Sequence, residues 1–308
     1  MPSTTHKPTL IVVTGPTAVG KTAISLLLAK HYGVPVINAD SRQIYAEIPI
    51  GTAAPTHDQM LMVPHYFVGT LHLTDYYSAS LYERDVLALL TPPGPLSGSD
   101  VALLSGGSMM YIDAVCDGID DIPTVDDETR SIMKERLEKE GLERLAEELH
   151  LLDPEYFKTV DRHNTRRIVH ALEICHSTGR PYSTFRLQQC KPRPFEVLKI
   201  GLNLDRQLLY SRINARVDEM VSQGFVEEAL RVYPYRGANS LATVGYREMF
   251  EYLDGLCTLE NAVERIKSST RRYSRKQLTW LKRDERIVWF NPADHDKILE
   301  YTDSKVLH

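Results

Sequence analysis

The chain has 308 residues, 43% hydrophobic and 25% charged, with a formal net charge of −5. That length gives room for a full core and a prior of about two domains; the acidic balance excludes a generally nucleic-acid-coating protein while leaving room for a local basic face. No apolar run approaches a membrane span, the polar start reads as neither signal nor transit peptide, and Cys116, Cys175, Cys190 and Cys257 make no CxxC pair, so reduced thiols and a cytoplasmic location are expected.

Leu10-Ile11-Val12-Val13 reads as a buried strand, and Ile24, Leu27 and Leu28 carry helical spacing after it. Between them stands Gly15-Pro16-Thr17-Ala18-Val19-Gly20-Lys21-Thr22, in the strand, glycine loop, helix order of a P-loop. Such a loop turns backbone N–H groups toward an anion, adds the positive end of the helix, and reaches the outer phosphate with Lys21; the Thr22 hydroxyl is placed for Mg²⁺. An ordinary glycine turn is the plain alternative. The loop does not say which bond breaks, since a kinase and an alkyl transferase both grip a diphosphate this way.

Val34 to Ala39 predicts a second strand, with Asp40-Ser41-Arg42-Gln43 directly after it. Gly51-Thr52-Ala53-Ala54-Pro55 is rich in turn residues, and His65 to Val68 is a short apolar piece. A helix is expected from about Ser78 to Leu90, then an exposed loop through residues 91–98, then a strand over Val101 to Leu104 closed by Ser105-Gly106-Gly107-Ser108. In a parallel sheet ligands sit beyond the carboxyl ends of the strands, where the P-loop, Asp40 and the Ser105 turn would converge.

From about Gly118 to Pro194 the pattern is charged amphipathic helix: Thr124 to Glu140, Leu142 to Leu149, and Asn164 to Thr178, the last with Ile168, Ala171, Leu172 and Cys175 on one face and Arg166 and Arg167 on the other. Glu196 to Leu202 alternates as a returning strand, and Asp205 caps a helix through Val221. Along Thr258 to Arg283, a spacing of 100° per residue groups Ala262, Ile266, Tyr273 and Trp280. Arg265, Lys267, Arg271, Arg272, Arg275, Lys276, Lys282 and Arg283 spread over the opposite arc, a footprint for nucleic acid or a solvated helix face. Ile287 to Phe290 is one more strand; the tail after Asp294 predicts nothing. The fold class is therefore α/β: a P-loop parallel sheet flanked by helices, over residues 1–117 and 196–308, with an all-helical insertion over 118–195.

Asp40 reads either as the cap of a turn or as a carboxylate facing a bound diphosphate, suited to taking a proton from a nucleophile. Ser108 reads as part of a tight turn or as a hydroxyl touching substrate. The strand before Ser105 lacks the terminal aspartate that P-loop ATPases use for magnesium, which counts against ATP hydrolysis although the ATP-binding motif is present. The eleven histidines show no metal-ligand spacing.

GPTAVGKT, Asp40 to Tyr45, Gly51 to Pro55, Gly106-Gly107-Ser108 with Tyr111, Arg166-Arg167 with Ala171-Leu172-Glu173, Arg212 to Met220, Val244 to Arg247, and Thr270 to Trp280 together resemble the tRNA dimethylallyltransferase family, in that order and over nearly the whole chain. The resemblance implies transfer of a dimethylallyl group from dimethylallyl diphosphate to the exocyclic amine of adenosine at tRNA position 37, beside the anticodon. It implies that the loop from Gly15 to Thr22 holds the diphosphate, that Asp40 is the general base, and that Thr17, Ser108 and Arg216 complete the catalytic set, Arg216 steadying the diphosphate. Ser108 stands where the family usually has threonine, and Ala54 replaces a usual lysine. Implied tRNA contacts are Asp40, Ser41, Arg42, Gln43, Ser108, Arg130, Arg166, Arg167, Ile168, Val169, His170, Ala242, Thr243, Val244, Gly245, Tyr246 and Arg247, with Arg271, Arg272, Arg275 and Lys276 from the basic helix. Expected partners are the tRNA anticodon stem-loop, dimethylallyl diphosphate and Mg²⁺; a monomer of the bacterial type, without a zinc-finger extension, is expected. Three alternatives stay open: a P-loop small-molecule kinase, a tRNA-binding protein with a regulatory nucleotide site, and a prenyltransferase of free adenine nucleotides.

Overall fold

The computed structural model describes residues 7–187 and 190–306, which form two compact units, the chain passing from the first to the second after Cys116 and back to the first at Arg193. The first unit opens with β1 (Thr9–Thr14), α1 (Lys21–Tyr32), β2 (Val36–Asn38), α2 (Pro49–Thr52), α3 (His57–Met62), β3 (His65–Tyr66), α4 (Ala79–Leu90), β4 (Val101–Gly106) and α5 (Met109–Asp117). The second holds α6 (Asp127–Leu152), α7 (Pro154–Phe157) and α8 (Thr165–Thr178). The chain returns to the first unit with β5 (Glu196–Leu202), α9 (Arg206–Ser222), α10 (Phe225–Val232), α11 (Tyr246–Leu253), α12 (Leu259–Leu281), β6 (Ile287–Phe290) and α13 (His295–Val306).

The six strands form one sheet in the order β3-β2-β4-β1-β5-β6, parallel at every pairing. Central strands of such a sheet are covered on both faces, which is why β1 and β4 read as continuous apolar runs: all six residues of each are buried. The alternation of side chains sends Ile11 and Val13 into one core with Ile24, Leu28 and Ile213, and Leu10 and Val12 into the other with Val86, Ile112 and Val115. Register places Thr14 opposite Gly106, and Asn38 opposite Ser105, so the loops after β1, β2 and β4 leave the same edge side by side. Gly106 permits this: a Cβ there would lie 2.1 Å from the Ala39 carbonyl oxygen.

Caps follow the sequence. Ser78 accepts from the Leu81 amide at 3.2 Å, and Asp205 from the Gln207 amide at 2.8 Å. In the helical unit the stretches on either side of Gly141 are assigned to one helix broken at that residue, which sits at φ 80°, ψ 168°. Asp126 and Asn164 cap α6 and α8, and Gly179 ends α8 in the left-handed region. Met133, Leu145, Leu149, Ile168, Ala171, Leu172 and Cys175 make this unit's own core. Several elements go beyond the sequence expectation, α3, α5, α10 and α11 among them. The tail folds as α13, with Ile298 and Thr302 buried, and the turn-rich stretch at Gly51 contains the short helix α2. Among the described residues no helix is long and apolar enough to cross a membrane, and the four cysteines are free.

Candidate active site

The loop after β1 wraps the start of α1. Gly15 lies under β5, where a Cβ would come within 2.6 Å of the Leu202 carbonyl oxygen, and Ala18 is held at φ 63°, a conformation that costs a residue with a side chain. Val19 anchors the loop by burying its side chain in the core. The Lys21 ammonium donates to the carbonyls of Gly15 and Pro16 at 3.0 and 2.9 Å. Burial, helped by the charge of Arg216 and opposed by Asp40, brings its pKa down to about 8.

Two chambers open at this edge. One, of about 230 Å³, is lined by Gly20, Lys21, Thr22, Gln43, His65, Gly106, Gly107 and Gln277 among others. The other, of about 330 Å³, is lined by Ser41, Arg42, Ser108, Ala242, Thr243, Val244, Gly245 and Arg247 among others. Thr17, Ala18, Asp40, Thr52, Arg216 and Tyr273 belong to both walls. Asp40 thus stands where the loop after β1 meets a second compartment, and its Oδ1 also accepts from the Arg42 amide at 2.9 Å. The turn-capping and cavity-facing readings of Asp40 therefore coexist. Ser108 accepts the Ser41 amide at 2.8 Å and donates to the Ser41 hydroxyl at 3.1 Å, so its side chain shapes the turn beside Asp40.

Arg216 reaches in from α9. Its Nη1 donates to the Thr17 hydroxyl at 3.3 Å and its Nη2 to the Ala53 carbonyl at 3.2 Å; burial draws the guanidinium below its usual range while Asp40 pulls the other way. One turn earlier Arg212 donates to the Val19 carbonyl at 3.2 Å. Two arginines from one helix thus brace the loop, and the positive charge of Lys21 and Arg216 faces the same space as Asp40.

A model of the IPP transferase family matches residues 43–284. The tRNA dimethylallyltransferase 1 of Phocaeicola vulgatus is 59% identical over 296 residues, covering 96% of this chain and 98% of that protein. The chain belongs to the tRNA dimethylallyltransferase family. The tRNA dimethylallyltransferase 1 of Bacteroides thetaiotaomicron, another relative, is 58% identical over 294 residues, covering 96% of this chain and 95% of that protein. The full-length tRNA isopentenylpyrophosphate transferase of Bacillus halodurans has a crystal structure with a TM-score of 0.70 to this one at 33% identity, covering 97% of each chain. A eukaryotic dimethylallyltransferase acting on tRNA, 23% identical, shares the fold at a TM-score of 0.77, covering 96% of this chain and 76% of that one.

Within this dimethylallyltransferase fold several expectations need correction. Ile168 is fully buried in the helical unit's core and Val169 packs against that core, so the first presents no side chain to RNA and the second little; Arg166, Arg167 and His170 on the same helix are exposed, and Arg130 lies within 3.8 Å of Asp127. Tyr246 is fully buried and hydrogen-bonded, and Gly245 beside it is buried too, whereas Ala242, Thr243, Val244 and Arg247 are at least partly exposed. Gln43 donates to the carbonyls of Thr52 and Ala53 at 3.1 and 3.0 Å and lines the Lys21 chamber instead of the other. On α12 the buried line runs through Ala262, Ile266, Ser274, Gln277 and Leu281, leaving Tyr273 and Trp280 at its margins with partly exposed rings. The basic arc is also more neutralised than its sequence implies, since Arg265 pairs with Glu251 and Lys267 with Asp218 at 2.7 Å; Arg271 keeps its charge but is engaged, donating to Asn214 at 2.6 Å. Arg272, Arg275 and Lys276 are exposed, Arg275 donating to the Tyr210 hydroxyl at 3.2 Å.

Arg212, His65 and Gln277 escaped the sequence reading of the site. A glutamine in phase with the apolar residues of α12 was the available signal, because a polar side chain on a buried line needs partners. Near the end of β4, where an ATPase would carry an aspartate, Ser105 shares a 2.6 Å hydrogen bond with Ser25.

Proposed function

We propose that this enzyme transfers the dimethylallyl group of dimethylallyl diphosphate to the exocyclic amine of adenosine at tRNA position 37, yielding N6-dimethylallyladenosine and diphosphate. The observation that carries the reading is the meeting of two chambers at Asp40, Thr17 and Arg216, one floored by the phosphate-binding loop and the other open beside it. Two substrates that approach from different compartments and react at a shared wall fit a transfer between an enclosed diphosphate and a base taken out of its stack.

The loop from Gly15 to Thr22, with Lys21 and Arg216, binds the diphosphate and offsets the charge that develops on it as the carbon–oxygen bond breaks. Asp40 accepts the proton of the adenine amine as its nitrogen bonds to the allylic carbon, and the closed walls keep water from that carbon. Thr17 and Ser108 orient the groups at the junction. Thr22 lines the Lys21 chamber, and its hard hydroxyl oxygen would hold a magnesium ion there. When bound there, magnesium would screen the diphosphate charge. Exposed Arg166 and Arg167 in the helical unit, and Arg272, Arg275 and Lys276 on α12, supply cations for RNA phosphates, and exposed His170 shares the helix of the first pair.

Incubation with tRNA and either dimethylallyl diphosphate or ATP separates this reaction from phosphoryl transfer: the RNA gains one dimethylallyl group with the first donor and nothing with ATP. Nucleoside digestion then locates the modified adenosine. An RNA whose mass changes only with ATP, or with neither, overturns the reading.

A further inference from the structure

Gln277 lies on the inner face of α12, 2% exposed, and spends both ends of its amide on the site. Its Oε1 accepts the Thr17 amide at 2.9 Å, and its Nε2 donates to the Gly107 carbonyl at 2.8 Å. One side chain thus ties the loop after β1 to the loop after β4. Thr17 is in turn the residue whose hydroxyl receives Arg216. The same helix is held along its length by Arg271 on Asn214 of α9 and by Trp280, whose Nε1 donates to Asp113 of α5 at 2.8 Å.

We infer that Gln277 is a positioning residue for the transfer: it fixes the peptide of Thr17, and through the Thr17 hydroxyl the Arg216 guanidinium, at the junction of the two chambers. The physical case is economy of partners. A buried amide that engages a partner at each end serves as a clamp of fixed length, since either end moving away strands a polar group without water. With Thr17 N–H committed to Gln277, that peptide is turned away from the diphosphate, and the Thr17 side chain carries its link to the reacting centre. Gln277 does not need to touch the donor. It sets where the groups that do so stand, and a displacement near 1 Å at such groups costs roughly a hundredfold in rate.

Gly107 offers an independent handle on the same clamp. A Cβ at Gly107 would fall 2.7 Å from Gln277 Nε2 while lying at ordinary contact distance, 3.6 Å, from Lys21 Nζ. Gly107→Ala therefore pushes on the amide without removing it. With Gln277→Ala the obstruction vanishes, and the two substitutions act through one contact.

This inference rests on the proposed transfer, so wild-type turnover with dimethylallyl diphosphate and tRNA is measured first; its absence defeats that reading and not the clamp. Given turnover, Gln277→Ala is expected to lower kcat about tenfold to a hundredfold while the tRNA Kd stays within about threefold of wild type, because the RNA-facing cations are untouched. Gly107→Ala is expected to lower kcat as well, and the double variant to be no slower than the slower single, the mark of a shared interaction. A wild-type kcat in Gln277→Ala, or single losses that multiply in the double variant, overturns the inference. Melting curves accompany each variant. Should Gln277→Ala lack a folded transition, Gly107→Ala decides alone, and an unchanged kcat there is the overturning result.

Discussion

The Tyr246 hydroxyl donates to the Glu228 carboxylate at 2.6 Å, and both side chains are fully shielded from solvent. Glu228 also accepts the amides of Ile50 and Gly51 at 2.8 and 2.7 Å, so the pair suspends α2 and the Thr52–Ala53 wall that both Gln43 and Arg216 touch. Glu228→Ala leaves three buried donors without an acceptor and is expected to lower stability by about 3 kcal/mol or more, whereas Tyr246→Phe, which removes one donor, costs about 1–2 kcal/mol. Urea unfolding of the two variants checks both the size and the order.

The lowered Lys21 pKa makes donor binding proton-linked. In the free site the group is about half protonated at pH 8, and a diphosphate favours the ammonium form, so binding there draws in up to about half a proton. Donor affinity is accordingly expected to fall as pH rises through 8 toward 10. Calorimetry at pH 8 in two buffers of different ionisation enthalpy measures the uptake; Lys21→Ala should bind the donor weakly and take up no proton from this site.

Asp40→Asn keeps an oxygen for the Arg42 amide and removes the base. It is expected to lower kcat about a hundred- to ten-thousandfold while tRNA affinity stays within about twofold. Single-turnover transfer and filter binding on the same preparation test this, and retained turnover would take Asp40 out of its proposed role. Ser108→Thr, which preserves the hydroxyl that holds Ser41, should keep more activity than Ser108→Ala.

Paired and unpaired cations on α12 should differ in their effect on RNA binding. Arg272→Ala or Lys276→Ala is expected to reduce the slope of log affinity against log salt by about one, the signature of a lost phosphate contact. Lys267→Ala, whose ammonium already serves Asp218 and Glu264, should change the slope much less. Binding of an anticodon stem-loop at several salt concentrations distinguishes the two outcomes.

Periodicity misjudged α12 for an identifiable reason. Hydrophobicity put Tyr273 and Trp280 on the buried side, but packing chose the neighbouring line through Ser274 and Gln277, whose polar groups are satisfied by the Arg271 carbonyl, Gly107 and Thr17. Charge counting likewise overstated the free basic face, because Glu251 and Asp218 lie on other helices and are brought to Arg265 and Lys267 only by folding. Ile168 was assigned to RNA by its place in a motif, although its spacing with Ala171, Leu172 and Cys175 already marked it as core.

By itself the sequence determined the parallel-sheet core, the loops that follow β1, β2 and β4 and the Asp205 cap, because those features depend on spacing and turn chemistry within a few residues. The glycine loop after β1 and the place of Asp40 after β2 were legible for that reason. Only the tertiary structure decided what closes the chambers: Arg216 against Thr17, Gln277 across Thr17 and Gly107, and Glu228 beneath α2 join segments more than 160 residues apart. Such contacts are chosen by which buried polar groups can satisfy one another once the core has packed, and no local pattern encodes that choice.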